Sequence, residues 1–101
     1  MFMIHGRLAA LPGKRDELLA ILSEGQTEDP MPGCRLYLVA TDETDADGVW
    51  VTEVWESEAD HAASLELDRV QAQIGRARPL LDPSGFRRQT LDARAGVPGP
   101  P

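Results

Sequence analysis

Apolar and polar positions alternate from the start of the chain. Phe2, Ile4 and Leu8 fall on one parity and His5 and Arg7 on the other. A period of two marks a strand with one covered and one wet face, so Phe2 to Ala10 is predicted to be a strand. Pro12-Gly13 ends it, because proline lacks a ladder donor and glycine opens a turn. Leu18, Leu19 and Leu22 then recur at helical spacing among Lys14, Arg15, Asp16, Glu17 and Glu24, predicting a helix from Pro12 to Gln26. Asp29-Pro30-Met31-Pro32-Gly33 reads as a loop. Cys34 to Thr41 is a strand with apolar residues on both parities. Asp42 to Gly48 is an acidic hairpin loop closing on Asp47-Gly48.

Val49 to Glu56 is rich in Val, Trp and Thr and gives the strongest strand pattern. Its faces are Val49, Val51, Glu53, Trp55 and Trp50, Thr52, Val54, Glu56. Ser57-Glu58-Ala59-Asp60 matches a capping box and starts a second helix through Ala62, Ala63 and Leu65. Leu67-Asp68 marks a bend before a further helical segment carrying Val70, Ile74 and Ala77 and ended by Pro79. Ser84 to Ala93 reads as the last strand. The order β-α-β-β-α-β is that of a ferredoxin-like α+β fold, an antiparallel sheet with helices on one face. The other face is left open. Met3, Tyr37, Val39, Trp50 and Val54 fall on strand positions that could form it, and two copies packed sheet to sheet would bury it.

Composition narrows the function classes. The 101 residues suffice for one domain, expected over residues 1–93 with a flexible Pro/Gly-rich tail at 94–101. Formal net charge is −7, against a phosphate-tracking nucleic-acid binder and against attraction to anionic membranes. One cysteine and two histidines leave no disulfide framework and little material for a zinc site. With no apolar run long enough for a span and only a short apolar start, a cytoplasmic location is expected.

Candidate chemistry gathers around the third strand. Glu53 shares a face with Val49, Val51 and Trp55, pointing a carboxylate at the helices. It either pairs with Arg7, Arg87 or Arg88, or lines a cavity. Trp55 is a core aromatic or the wall of a flat pocket. His61, four residues before Leu65 on the second helix, lies near the core-facing stripe and is either a proton acceptor or a histidine of the helix surface. Tyr37 could offer a phenol to a ligand or pack. Cys34 follows a loop and could be a nucleophile, but no histidine lies near it in sequence, which favours a small buried apolar residue. Glu43-Thr44-Asp45-Ala46-Asp47-Gly48 resembles the start of a calcium loop, but Val54 stands where the closing bidentate glutamate is needed, so a solvated hairpin loop is expected.

Pro32-Gly33-Cys34, Tyr37 and the run Glu53-Val54-Trp55-Glu56-Ser57, with the Pro12-Gly13 turn, resemble the antibiotic-biosynthesis monooxygenase domain family over Met3 to Leu91. The resemblance implies a homodimeric α+β barrel with a pocket in each subunit between sheet and helices. In the monooxygenase members a deprotonated aromatic substrate of quinol or polyketide type reduces O₂ directly, so no cofactor and no metal are expected. It casts Glu53 and His61 as the catalytic pair, Trp55 as pocket wall, and Tyr37 and Arg87 as substrate-orienting groups. Gly6 and Ala72–Gln73 stand where the haem-degrading branch has asparagine and histidine, which sets haem degradation aside. The other reading is a non-catalytic ligand-binding or accessory dimer of the same fold, with Glu53 locked in a salt bridge and His61 in solvent.

Overall fold

The computed structural model describes residues 1–24 and 31–96. The elements are β1 (Phe2–Ala10), α1 (Arg15–Leu22), β2 (Cys34–Thr41), β3 (Gly48–Trp55), α2 (Glu58–Ser64), α3 (Asp68–Ala77), a 3₁₀ turn (Arg78–Leu80) and β4 (Leu81–Asp92). The expected reach of the first helix to Gln26, the Asp29-Pro30 part of the expected loop and residues 97–101 of the expected tail lie outside the described residues. The expected bend at Leu67-Asp68 is present: Leu67 is extended and caps α3. The capping box at Ser57 is also present, its hydroxyl oxygen accepting the Asp60 N–H at 3.1 Å. The order matches the predicted ferredoxin-like arrangement.

The sheet is antiparallel in the order β2-β3-β1-β4. Ile4, Leu18, Val49, Val51, Trp55 and Ala77 are buried where sheet meets helices, and Leu18, Val49 and Trp55 are sealed from solvent entirely. Burying one such aromatic removes roughly 150–250 Å² of surface from water, so Trp55 anchors one end of the sheet. Glu53 lies between these positions on the same parity, facing the helices as expected.

Two irregularities change the expected faces. Cys34 lies opposite Trp55, but Leu36 lies opposite Val54, so Arg35 is an extra residue on β2. One inserted residue reverses the parity of everything after it. Tyr37 therefore pairs with Glu53 and Val39 with Val51, and both pack against the core. This corrects their expected place on the open face; Leu36 and Leu38 stand there instead. Met3, Trp50 and Val54 do occupy that face, since Met3 and Val54 are cross-strand partners alternating with buried Ile4 and Val51. His5 stacks on Trp50 there, ring centroids 5.1 Å apart.

The second irregularity is in β4, where the register shifts between Arg7 and Ala9. Ala9 pairs with Asp82 and Arg7 with Arg87, so Pro83 to Phe86 bulge outward. Proline needs no ladder partner in a bulge. The strand consequently begins at Leu81, earlier than the expected Ser84, and the Asp82 carboxylate steadies the turn by accepting from the Ser84 N–H and Oγ.

Candidate functional site

The site grows from β3. Its alternation sends Trp55 and Glu53 to the helix side, and there the Trp55 Nε1–H donates to Glu53 Oε1 at 3.1 Å. The indole cannot turn away, so the carboxylate is held by a neutral donor from its own strand. Among the described residues Glu53 makes no ion pair. Of the arginines considered for it, Arg7 pairs with Asp45, Arg87 donates to backbone carbonyls, and Arg88 lines the same cavity without a salt bridge to Glu53.

His61 reaches the same place from α2. Its ring meets Trp55 edge-on at 5.4 Å and lies 5.7 Å from Phe2. Burial lowers its pKa below the ordinary histidine value, opposed by the Glu53 charge and aided by Arg88. The ring is therefore a neutral acceptor at pH 7. Tyr37, brought in by the β2 bulge, stands across from Glu53 on the neighbouring strand. Burial and then the Glu53 charge raise its pKa well above the usual phenol range, so its hydroxyl remains a hydrogen-bond donor.

These three side chains form the wall between two cavities. One, of about 170 Å³, is lined by Ile4, Gly6, Leu8, Leu22, Val51, Phe86 and Arg88 together with Tyr37, Glu53 and His61. The other, of about 120 Å³, adds Trp55, Val70, Gln73 and Ile74 to the same three. The first is open because the sheet has no side chain at Gly6. A Cβ there would lie 3.0 Å from the Arg87 carbonyl oxygen and 3.8 Å from the Arg88 Cα, so the close approach of β4 leaves little room for a side chain. Apolar walls with a few convergent polar groups are the ordinary makeup of a small-molecule site.

Glu53, His61, Tyr37 and Trp55, all expected at a site, are thus brought together. Arg87 is not. Register pairs it with Arg7, and its guanidinium donates to the Ser84 and Phe86 carbonyls. Arg88, opposite Gly6, lines the larger cavity in its place. Sequence reading missed Arg88, Gly6 and Phe86 as site residues. Pairing β4 with β1 residue by residue would have found Arg88, but the Pro83–Phe86 bulge hides that register. Cys34 is half-buried, and desolvation raises its thiol pKa, leaving it a weak nucleophile. Among the described residues no group of three or more His, Cys, Asp and Glu is placed to hold a metal ion, and no helix is long and apolar enough to cross a membrane.

The family model described as antibiotic biosynthesis monooxygenase matches residues 1–75. A solved structure from Chloroflexus aurantiacus J-10-fl, assigned to the antibiotic biosynthesis monooxygenases, is 42% identical, superposes with a TM-score of 0.85 and covers 94% of each chain. Two others with that assignment share the fold. The one from Deinococcus radiodurans is 24% identical, with a TM-score of 0.78 over 95% of both chains. The one from Caulobacter crescentus CB15 is 20% identical, with a TM-score of 0.80 over 92% of this chain and 89% of its own. No curated protein matches the chain.

Proposed function

The chain belongs to the antibiotic biosynthesis monooxygenase family, and from that premise we propose that it adds oxygen from O₂ to a small electron-rich aromatic molecule without flavin, haem or metal. One observation carries the proposal. A neutral imidazole, a carboxylate held by an indole N–H and a protonated phenol converge on one cavity wall. A non-catalytic accessory role called for Glu53 tied into a salt bridge and His61 in solvent, and neither arrangement is present.

His61 takes the acidic proton of the substrate, a quinol hydroxyl or an activated ring carbon, and Glu53 stabilises the imidazolium that forms. The resulting anion is electron-rich enough to reduce O₂ itself. One oxygen atom ends on the ring carbon and the other leaves as water, carrying the two hydrogens the substrate gives up. Tyr37 donates a hydrogen bond to the oxygenated anion, and the apolar walls keep water from it. Two copies pack their open sheet faces together, covering Leu38, Trp50 and Leu91 and leaving one cavity per subunit on the far side.

The test is O₂ uptake with reduced naphthoquinols and anthrones, the protein having been dialysed against chelator and supplied with no flavin. Wild type consumes O₂ in proportion to substrate, and His61→Gln loses at least about 100-fold in kcat, the scale of a missing proton acceptor. Trp55→Phe keeps the packing while releasing Glu53, and loses less. A panel without O₂ uptake by wild type overturns the proposal.

A further inference from the structure

A third cavity, of about 400 Å³, lies next to the one of about 170 Å³ that holds Glu53 and His61. Leu8 and Phe86 line both, so these two side chains form the partition between an inner and an outer chamber. The β4 bulge is the cause. Arg7 pairs with Arg87 and Ala9 with Asp82, so Pro83 to Phe86 all stand opposite Leu8. Several residues against one cannot stay in the ladder, and the chain loops out and encloses space beside Leu8. The loop is held in place. Arg7 Nη1 donates to the Gly85 carbonyl at 3.0 Å, and a Cβ on Gly85 would collide with Ala9, so the loop is pressed onto β1 just before Phe86.

The volumes set what each chamber can take. An engineered apolar cavity of ~150 Å³ holds one benzene ring, so the inner chamber has room for one ring and little more. Anything attached to that ring has two ways to extend. Towards the cavity of about 120 Å³ it meets Tyr37, Glu53 and His61, with Glu53 tied to Trp55. Towards the outer chamber it meets Leu8 and Phe86. Phe86 is 50% exposed, and an exposed side chain changes rotamer readily. The outer lining is aliphatic, from Leu8, Ala9, Leu81 and Pro83. Its polar members, Arg78 and Asp82, carry opposite charges, and the Asp82 carboxylate already accepts from the Ser84 N–H and Oγ. A charged substituent therefore meets no net charge there, whereas methylene groups are taken out of water.

We propose that the outer chamber is a subsite for an aliphatic chain, and that Phe86 is the gate through which a chain on the inner ring reaches it. The ligand class this selects is a phenolic ring bearing an alkyl or alkenyl substituent. The assignment rests on the oxygenase reading for placing the ring inward beside His61, but chain binding is measured without turnover. A chain and a fused second ring of equal carbon count differ at the gate. The chain bends through the gap between Leu8 and Phe86, while a fused ring has to hold it open.

Calorimetric titration of the whole protein with phenol and its para-ethyl, para-butyl and para-hexyl derivatives tests this. Affinity is expected to rise roughly three- to fourfold for each methylene, the scale of burying that group. Butylphenol should bind more tightly than naphthol, which has the same number of carbons. Pro83→Asp, at an exposed position, sets a charge in the outer lining; it should flatten the series and leave phenol itself bound as in wild type. Phe86→Ala removes the gate and should bring naphthol level with butylphenol, with melting curves showing each variant folded. The assignment is overturned if wild type binds none of the series, if its affinity is the same from ethyl to hexyl, or if Pro83→Asp keeps the wild-type dependence. Naphthol binding wild type more tightly than butylphenol, or keeping its disadvantage in Phe86→Ala, overturns it equally. Chain-length dependence that Pro83→Asp removes, in a protein without O₂ uptake, sustains the subsite and removes the oxygenase reading. O₂ uptake with a flat series does the reverse.

Discussion

His61 is useful only as a neutral ring, and its surroundings favour that form. The sign of the pH dependence follows. Burial holds its pKa below the ordinary 6.5, so the ring still accepts a proton at pH 7 and at pH 6.5. Turnover that needs it falls only as pH drops through the lowered value. The acid limb of kcat/KM against pH should therefore lie below 6.5, and Glu53→Gln, which removes the carboxylate that favours protonation, should move it lower still. A limb above 6.5 would exclude His61 as the acceptor. At this scale the sequence was partly readable. Glu53 and Trp55 came from plain alternation on β3, a strand with no interruption between them. His61 came from its spacing to Leu65 on a helix whose start was marked by Ser57. Arg88 did not, because its orientation depends on which β1 residue it pairs with, and that is set by a bulge some residues away.

Among the elements, those with local signals were the ones foreseen. The α2 cap, the break at Leu67-Asp68 and the strand at β3 are each encoded within a few residues. The bulges at Arg35 and at Pro83–Phe86 are settled by cross-strand pairing, which no single stretch reveals, and they misplaced Tyr37, Val39 and Arg87. The loop before β2 shows how tightly elements are joined near the site. Gly33 has φ +79°, and a Cβ on it would fall 2.6 Å from the Asp60 carboxylate at the start of α2. Its carbonyl meanwhile accepts the Glu56 N–H at 2.9 Å. Gly33→Ala combines left-handed strain with a displaced helix start and should cost about 2–3 kcal/mol. Urea unfolding measures it: a midpoint within error of wild type would show that the loop relaxes freely. Because α2 carries His61, the same variant should weaken ligand binding.

For the whole molecule, the surface left uncovered is the sheet's open side. Leu38 is 55% and Leu91 46% exposed there, beside the His5–Trp50 stack. Leu38→Asp removes a side chain that touches little within its own chain, so it should leave the melting temperature of the subunit nearly unchanged while opposing charges across a two-fold contact. Sedimentation should give twice the chain mass for wild type and the single-chain mass for the variant at micromolar concentration. A single-chain mass for wild type would exclude the dimer.

The strand order has one more effect, on the moment when the site comes into being. The central strand β1 is made first, yet Phe2 must find Trp55 on one side and Asp92 on the other. The β2–β3 hairpin can close on its own while the ribosome is still at work, and β1 can then add to it. The second flank of β1, with Gly6 beside Arg88, is completed only by the last strand synthesised. Pairings so distant in sequence are slow to form, and until then one edge of β1 stays exposed to other chains. A nascent chain stalled before β4 would hold His61, Glu53 and Tyr37 with no wall to close them in.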